Sequence, residues 1–108
     1  MSFVQVLTAV DTQEHAQLIA QTVVEQRLAA CAQVIGPISS IYWWKGQLET
    51  AGEFLCLLKT RADLYRAVEQ AVREAHPYEV PEILAMPVSA GLPAYLAWVE
   101  GETAHASS

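Results

Sequence analysis

The chain has 108 residues, of which 53% are apolar and 17% charged, and this composition excludes an intrinsically disordered protein. Twelve acidic residues against six basic ones give a net charge of −6, so nucleic acid is not an expected partner. The length predicts a single domain over residues 1–108. No apolar run approaches the roughly 18 residues that cross a bilayer, and no basic leader of a signal peptide is present, so no membrane contact is expected. The two cysteines form no disulfide framework, which predicts a cytoplasmic protein with reduced thiols.

The first half of the chain predicts a strand, a helix and a second strand. Residues 3–10 are apolar on both alternating faces, as is typical of a central strand. Asp11 and Glu14 have the spacing of a capping box, which predicts that a helix follows the strand directly. Apolar residues then recur at helical intervals from Ala16 to Leu28 and mark one buried face. The apolar segment beyond this stripe predicts the second strand.

The second half repeats this order. Residues 53–59 predict a third strand, and Thr60 and Asp63 frame a second capping box before another apolar helical stripe. Two prolines end that helix, and a short strand is predicted over residues 83–88. Two strand–helix–strand units in succession make a βαββαβ chain. The predicted fold is therefore α+β and ferredoxin-like, an antiparallel sheet with both helices on one face.

A long hairpin is predicted between the second and third strands. Between Gln33 and Lys59 the only strong turn signal is residues 44–47, which contain a Lys-Gly pair. Each arm of about 12 residues would reach about 40 Å, far beyond the radius of gyration of about 13 Å expected for a domain of this size. An exposed aromatic tip indicates an association surface, and the alternative is a hairpin that curls back over its own sheet. The tip carries Tyr42, Trp43 and Trp44.

A short apolar helix is predicted near the end of the chain, over residues 93–99. It has too few polar positions to be exposed on all sides, so we expect it to pack on a sheet edge or on a neighbouring subunit. Trp98 in this helix is therefore added to the predicted subunit interface.

The densest polar segment is residues 76–82, which two prolines stiffen. It contains His76, Tyr78 and Glu79. Imidazole and carboxylate groups suit borderline divalent ions, so one interpretation is a metal or small-ligand site. The alternative is a helix terminator, in which the histidine interacts with the helix dipole and the tyrosine packs.

Two further groups could carry chemistry. Cys31 could be a soft copper ligand or a nucleophile, or a small buried core residue. Lys59 and Arg61 lie where the third strand enters the second helix, where they could bind an anion or form a solvated surface pair. The predicted topology places Cys31 near Lys59 at one end of the sheet and His76 at the other end. One ion therefore cannot bridge Cys31 and His76 within one subunit.

Five sequence blocks together resemble the CutA family, the divalent-cation tolerance proteins. They are RLAAC (27–31), YWWKG (42–46), LLKTR (57–61), HPYEVPE (76–82) and YLAW (95–98). The resemblance implies a tight homotrimer similar in plan to the PII signalling proteins, without a known enzymatic activity or a required cofactor. It also implies a link to divalent metal ions, copper above all. His76, Cys31 and Glu79 are the metal ligands that it suggests.

The expected function is therefore a non-enzymatic homotrimer that binds or responds to divalent metal ions. Three alternatives stay open. The first is a PII-like sensor that binds an anionic small molecule in the clefts between subunits, with Lys59, Arg61 and Tyr78 as contacts. The second is an oligomerisation scaffold without a ligand. The third is an enzyme that uses Cys31 as a nucleophile, which predicts fast labelling of that thiol near neutral pH.

Overall fold

The computed structural model describes residues 1–106, so Ser107 and Ser108 of the predicted domain lie outside the described residues. Within the described range, no helix combines the length and the apolar character needed to cross a membrane. A single turn of 3-10 helix precedes the second α-helix. The elements of this range are β1 (Phe3–Val10), α1 (Gln13–Glu25), β2 (Cys31–Trp44), β3 (Gln47–Arg61), α2 (Tyr65–Ala75), β4 (Ile83–Pro87) and α3 (Pro93–Glu102).

The strands form one antiparallel sheet in the order β2-β3-β1-β4. β1 pairs antiparallel with both β3 and β4, and β2 pairs antiparallel with β3. β1 and β2 are consecutive in the chain but not adjacent in the sheet, so the connection through α1 crosses β3. The predicted α+β class with a four-stranded antiparallel sheet is confirmed.

One face of the sheet carries the hydrophobic core. Val6 of β1 lies opposite Leu58 of β3, and both side chains are completely buried. α1 and α2 pack against this face through the apolar stripes that the sequence predicts. Their fully buried residues are Ala16, Ile19, Val23, Val68 and Val72.

The other face of the sheet, which we call the outer face, is apolar but incompletely covered. On this face Ile35 of β2 lies opposite Leu55 of β3, and Leu57 of β3 lies opposite Leu7 of β1. Leu7 is in turn opposite Leu84 of β4. Ile35 and Leu84 are 48% and 54% exposed, so burying this face would need a partner.

The first helix does not begin where the capping box predicts. Thr12 is the N-cap residue, and its Oγ1 accepts a hydrogen bond from the backbone N–H of His15 at 3.1 Å. The side chain of Asp11, the predicted cap, instead contacts Nδ1 of His15 at 2.6 Å. This hydrogen bond holds the pKa of Asp11 below its usual value, despite the opposing effect of partial burial.

The second predicted capping box is also wrong. Thr60 is fully buried, and its Oγ1 donates a hydrogen bond to the carbonyl of Leu28 at 2.6 Å. β3 therefore continues through Arg61, and the α-helix begins only at Tyr65. The hydroxyl is used for a contact with a residue 32 positions away, which no local spacing can reveal.

The long hairpin is confirmed. Its arms have 14 and 15 residues, and the pair Trp44–Gln47 closes it around Lys45 and Gly46. Both turn residues have positive φ values, 50° and 78°, as a two-residue type I′ hairpin turn requires. The tip is exposed, with Trp43 at 73%, so the hairpin does not curl back to bury its own aromatic residues.

A register shift interrupts the β2–β3 pairing between Ile35 and Ile38, at the predicted Gly36-Pro37 position. Gly52, where the sequence also allowed a bend or bulge, pairs regularly with Ser39. The ring of Phe54 lies directly against Gly36, where an added Cβ would be 2.4 Å from the Cδ2 atom. No side chain fits at this point without displacing the ring.

We therefore expect Gly36→Ala to destabilise the fold by about 1–3 kcal/mol, because the methyl group overpacks against Phe54. Urea unfolding measures this change. Gly101→Ala is the matched control, because no described residue beyond its chain neighbours and the backbone of its own helix lies within 4 Å of the added Cβ, and alanine favours the helix. Equal urea midpoints for the two variants would contradict the predicted clash.

Candidate functional site

The segment 76–82 is held to the sheet by His76. The chain leaves α2 at Ala75, and Nε2 of the His76 ring lies 2.9 Å from the carbonyl of Ala9 at the end of β1. Nδ1 accepts a hydrogen bond from the backbone N–H of Tyr78 at 3.2 Å. Because Nδ1 accepts, Nε2 carries the proton and donates it to Ala9. The ring is thus the neutral tautomer with both nitrogens engaged.

The surroundings of His76 favour this neutral form. The residue is only 8% exposed, and burial lowers its pKa. The hydrogen bond to Ala9 and the charges of Asp11 and Glu53 oppose that effect without reversing it. A metal ion on either nitrogen would have to displace a backbone hydrogen bond.

Tyr78 connects the same segment to the hairpin. Its hydroxyl donates a hydrogen bond of 2.8 Å to Oε2 of Glu53 on β3, a residue that is 7% exposed. Burial, and then the hydrogen bond to the Glu53 carboxylate, raise the pKa of Tyr78 well above its usual value. The ring also packs at a tilt against His76, with the ring centroids 4.7 Å apart. The phenol is therefore a fixed donor rather than a titrating group.

A cleft of about 560 Å³ lies between the hairpin and segment 76–82, and we call it the acidic cleft. Its walls include three aromatic rings and three carboxylates. None of the six basic residues of the chain lines it. These aromatic and acidic lining residues are Tyr42, Trp44, Tyr78, Glu53, Glu79 and Glu82.

The opposite end of the sheet holds the other predicted residues. Cys31 pairs with Lys59 across β2 and β3, and its Sγ lies 3.8 Å from the hydroxyl of Tyr95 on α3. The ammonium of Lys59 donates a hydrogen bond to Oε1 of Gln33 at 2.8 Å. Nε of Arg61 lies 3.1 Å from an oxygen of Asp63.

Within one chain, the structure brings together neither the predicted metal ligands nor the predicted anion contacts. Cys31 lies at one end of the sheet and His76 at the other, as the topology predicts. On β1, Gln5 pairs with Lys59, which in turn pairs with Cys31, and Ala9 accepts the hydrogen bond from His76. Gln5 and Ala9 are four residues apart, about 13 Å along an extended strand. No three His, Cys, Asp or Glu residues in the range 1–106 are placed to hold a metal ion.

The predicted anion contacts are divided in the same way. Lys59 and Arg61 lie at the Cys31 end, whereas Tyr78 lies in the acidic cleft. The lysine and the arginine already contact an amide and a carboxylate, respectively. An anion that touches all three residues would have to lie between subunits.

The four residues of the predicted subunit interface are exposed in the single chain. Trp43 is 73% exposed, Trp98 45%, Tyr42 41% and Trp44 40%. Trp98 packs beside Tyr95 on α3, with the ring centroids 5.7 Å apart. These positions suit an interface, since large aromatic side chains are enriched where subunits meet.

Sequence reasoning missed Glu53 and Lys45 as residues of this region. Glu53 is an isolated carboxylate at the start of an apolar strand. This charged residue beside apolar ones is the sequence signal that could have identified it. Lys45 was interpreted only as a turn residue. Its Nζ lies 3.9 Å from Oε2 of Glu79 and 5.5 Å from the centre of the Trp44 ring, so it bridges the hairpin tip and segment 76–82.

The family model described as CutA1 divalent ion tolerance protein matches residues 4–102. The chain belongs to this family. The divalent-cation tolerance protein CutA of Thermus thermophilus is 40% identical over 98 residues, which cover 91% of this chain and 95% of that protein. Mouse Protein CutA is 48% identical over 93 residues, which cover 86% of this chain but 52% of the mouse protein.

Solved CutA structures share the fold. CutA from Xylella fastidiosa has a TM-score of 0.92 at 34% identity, covering 95% of this chain and 99% of the other. The structure described as the periplasmic divalent cation tolerance protein CutA from Archaeoglobus fulgidus has a TM-score of 0.91 at 34% identity, covering 94% and 98%. The chain spans about half the length of the vertebrate CutA proteins that it matches.

Proposed function

We propose that this CutA-family protein is a non-enzymatic homotrimer that binds divalent cations, cupric copper foremost, between its subunits. The family match over residues 4–102 supports the divalent-cation role, because it covers nearly the whole chain. The relative from Thermus thermophilus is named a divalent-cation tolerance protein and matches over 95% of its length. The family description and these names refer to tolerance rather than to catalysis.

Two apolar surfaces support assembly. The outer face of the sheet leaves Ile35 and Leu84 about half exposed, and Trp43 at the hairpin tip is 73% exposed. The two surfaces lie on different parts of the subunit, as closed ring assembly requires, where each copy contacts two neighbours. Burying the two surfaces would remove Ile35 and Trp43, two exposed apolar side chains of β2, from water.

Binding between subunits is the arrangement that agrees with the placement of the candidate ligands. Cys31 is partly exposed, and the Glu79 side chain is 73% exposed, so both are available to a neighbouring subunit. His76 is available only if the backbone N–H of Tyr78 or the carbonyl of Ala9 gives up its hydrogen bond. Thiolate, carboxylate and imidazole together form a donor set that suits copper.

The proposed location is the cytoplasm. Both cysteines are free, and a reducing compartment keeps such thiols reduced. The relatives do not share one compartment, since the Archaeoglobus structure is described as periplasmic and the rice protein as chloroplastic.

Equilibrium dialysis against cupric ion tests the proposed ligands. We expect the wild-type protein to bind a fixed number of ions, and Cys31→Ser and Glu79→Gln to weaken that binding about tenfold or more, since each removes one charged ligand. Cys56→Ala and Glu100→Gln are the matched controls. Burial raises the pKa of the Cys56 thiol to about 11, so this cysteine supplies no thiolate.

Unchanged binding in both ligand variants would contradict the proposed ligands. Equal loss in the control variants would show that copper binding follows the general charge or fold of the protein rather than a site.

A further inference from the structure

Arg27 has a backbone conformation that favours glycine. It follows the end of α1, and its φ value is 62°. Its backbone N–H donates to the carbonyl of Val24 at 2.9 Å, and the N–H of Leu28 donates to the carbonyl of Val23 at 3.1 Å. These two hydrogen bonds form the Schellman ending of a helix, in which the left-handed position is usually glycine. A side chain costs free energy at this position, so an arginine here indicates that its guanidinium group has a role.

The guanidinium group of Arg27 holds the C-terminal end of α3. Its Nη1 donates to the backbone carbonyl of Glu102 at 3.3 Å and to Oε2 of the same residue at 3.2 Å. The last carbonyls of a helix lack partners within the helix, and a cation stabilises that end. α3, whose residues are all described, has no basic residue in its own last turn. Arg27 therefore caps α3 from a position 75 residues earlier in the chain.

Little of α3 is buried in its own subunit. Val99 is the one buried residue among the ten residues of the helix, all of which are described, and Thr103 just beyond the helix is also buried. The hydroxyl of Tyr95 lies 3.8 Å from Sγ of Cys31 on β2. An element with so few buried apolar contacts opens at a lower free energy than the central strands of a sheet do.

We propose that α3 is a strap that opens independently of the sheet, and that Arg27 is the latch that keeps it closed. The closed strap holds the Tyr95 hydroxyl against the Cys31 thiol. The open strap removes Tyr95 and leaves the thiol more exposed to solvent. The latch thus regulates the exposure of Cys31, and neither state requires a metal ion.

The latch is compatible with the proposed assembly. Trp98 is exposed when α3 is closed, so a neighbouring subunit can contact it without moving the helix. The contact between Arg27 and Glu102 lies within one chain, at the C-terminal end of α3. A neighbour and the latch would therefore hold α3 in the same position. If the neighbour alone holds the helix, removing the latch has no effect.

Hydrogen exchange of the full-length protein, followed by mass spectrometry at one protein concentration, tests the latch. Arg27→Gly removes the guanidinium group and also relieves the strain, because glycine adopts this φ value readily. We expect the amides of α3 to exchange about two- to fivefold faster, as for the loss of an exposed ion pair. The urea midpoint should stay the same or rise. Iodoacetamide labelling of Cys31, located by peptide mass, should accelerate by a similar factor.

Arg27→Met and Arg66→Met form the matched pair of variants. Both remove the same charge, and Arg66 lies at an exposed position on α2. Only Arg27→Met should accelerate exchange in α3. Unchanged exchange of α3 in Arg27→Gly would overturn the proposal. Equally faster exchange throughout the sheet would also overturn it, because that result would indicate general destabilisation. Faster exchange of α3 with unchanged labelling of Cys31 would overturn the regulation of the thiol.

Discussion

Replacing Trp43 with serine is expected to lower the melting temperature by about 8 °C or more and to convert the protein into smaller species. In the single chain this side chain is 73% exposed, so it contributes little to the stability of one subunit. In an assembly that buries it, losing the indole costs about 2–3 kcal/mol per subunit, and each kcal/mol shifts the melting temperature of a domain of this size by about 4–8 °C. Thermal unfolding and sedimentation velocity measure the two effects.

Leu18→Ser is the matched control for Trp43→Ser. Leu18 is a large apolar residue of α1 that is 54% exposed, on a helix away from the hairpin and the outer face. Its replacement should change the melting temperature little and leave the assembly intact. If Trp43→Ser also leaves both unchanged, the hairpin tip is not an interface.

Replacing His76 with alanine is expected to destabilise the fold by roughly 2–4 kcal/mol, because two backbone groups, one buried and one partly buried, lose their hydrogen-bond partners. These groups are the carbonyl of Ala9 and the N–H of Tyr78. Urea unfolding measures the loss, and His15→Ala is the control. Among residues 1–106, the His15 ring forms one side-chain hydrogen bond, to the exposed Asp11 side chain, so that variant should lose much less. Equal losses would mean that His76 does not hold segment 76–82 to the sheet.

His76 also predicts a pH dependence of stability. Its folded-state pKa is below the usual value of about 6.5, so the unfolded chain binds more protons at this site than the folded chain does. The stability that the neutral ring contributes is therefore complete above about pH 6.5 and decreases as the pH falls toward the lowered folded-state pKa. Urea unfolding at pH 7.5 and 5.5 should show a larger difference for the wild type than for His76→Gln. An equal difference would contradict the neutral, hydrogen-bonded ring.

The parts of the fold that sequence predicted well depend on local signals. A Lys-Gly pair between two predicted strands indicates a tight turn, so residues 44–47 were sufficient to predict the hairpin. The stripes of α1 and α2 followed from helical periodicity. The separation of Cys31 from His76 followed from strand order alone, because one residue begins a strand and the other ends a helix.

The parts that sequence did not predict depend on contacts between distant residues. Thr60 has the spacing of a helix cap, but its hydroxyl donates to Leu28. The hydrogen bond between Tyr78 and Glu53 joins residues 25 positions apart, so the acidic cleft has no local motif. His76 was predicted as a metal ligand or a helix terminator, and its two backbone hydrogen bonds depend on where β1 ends.

Native mass spectrometry of the wild-type protein, with and without a few equivalents of cupric ion, tests the central claim most directly. We expect a mass of three chains that increases by a fixed, saturable number of copper ions. A trimer without stoichiometric uptake would contradict direct metal binding and would favour a scaffold or a small-molecule sensor. A monomer, with or without copper, would contradict the assembly on which the proposed site depends.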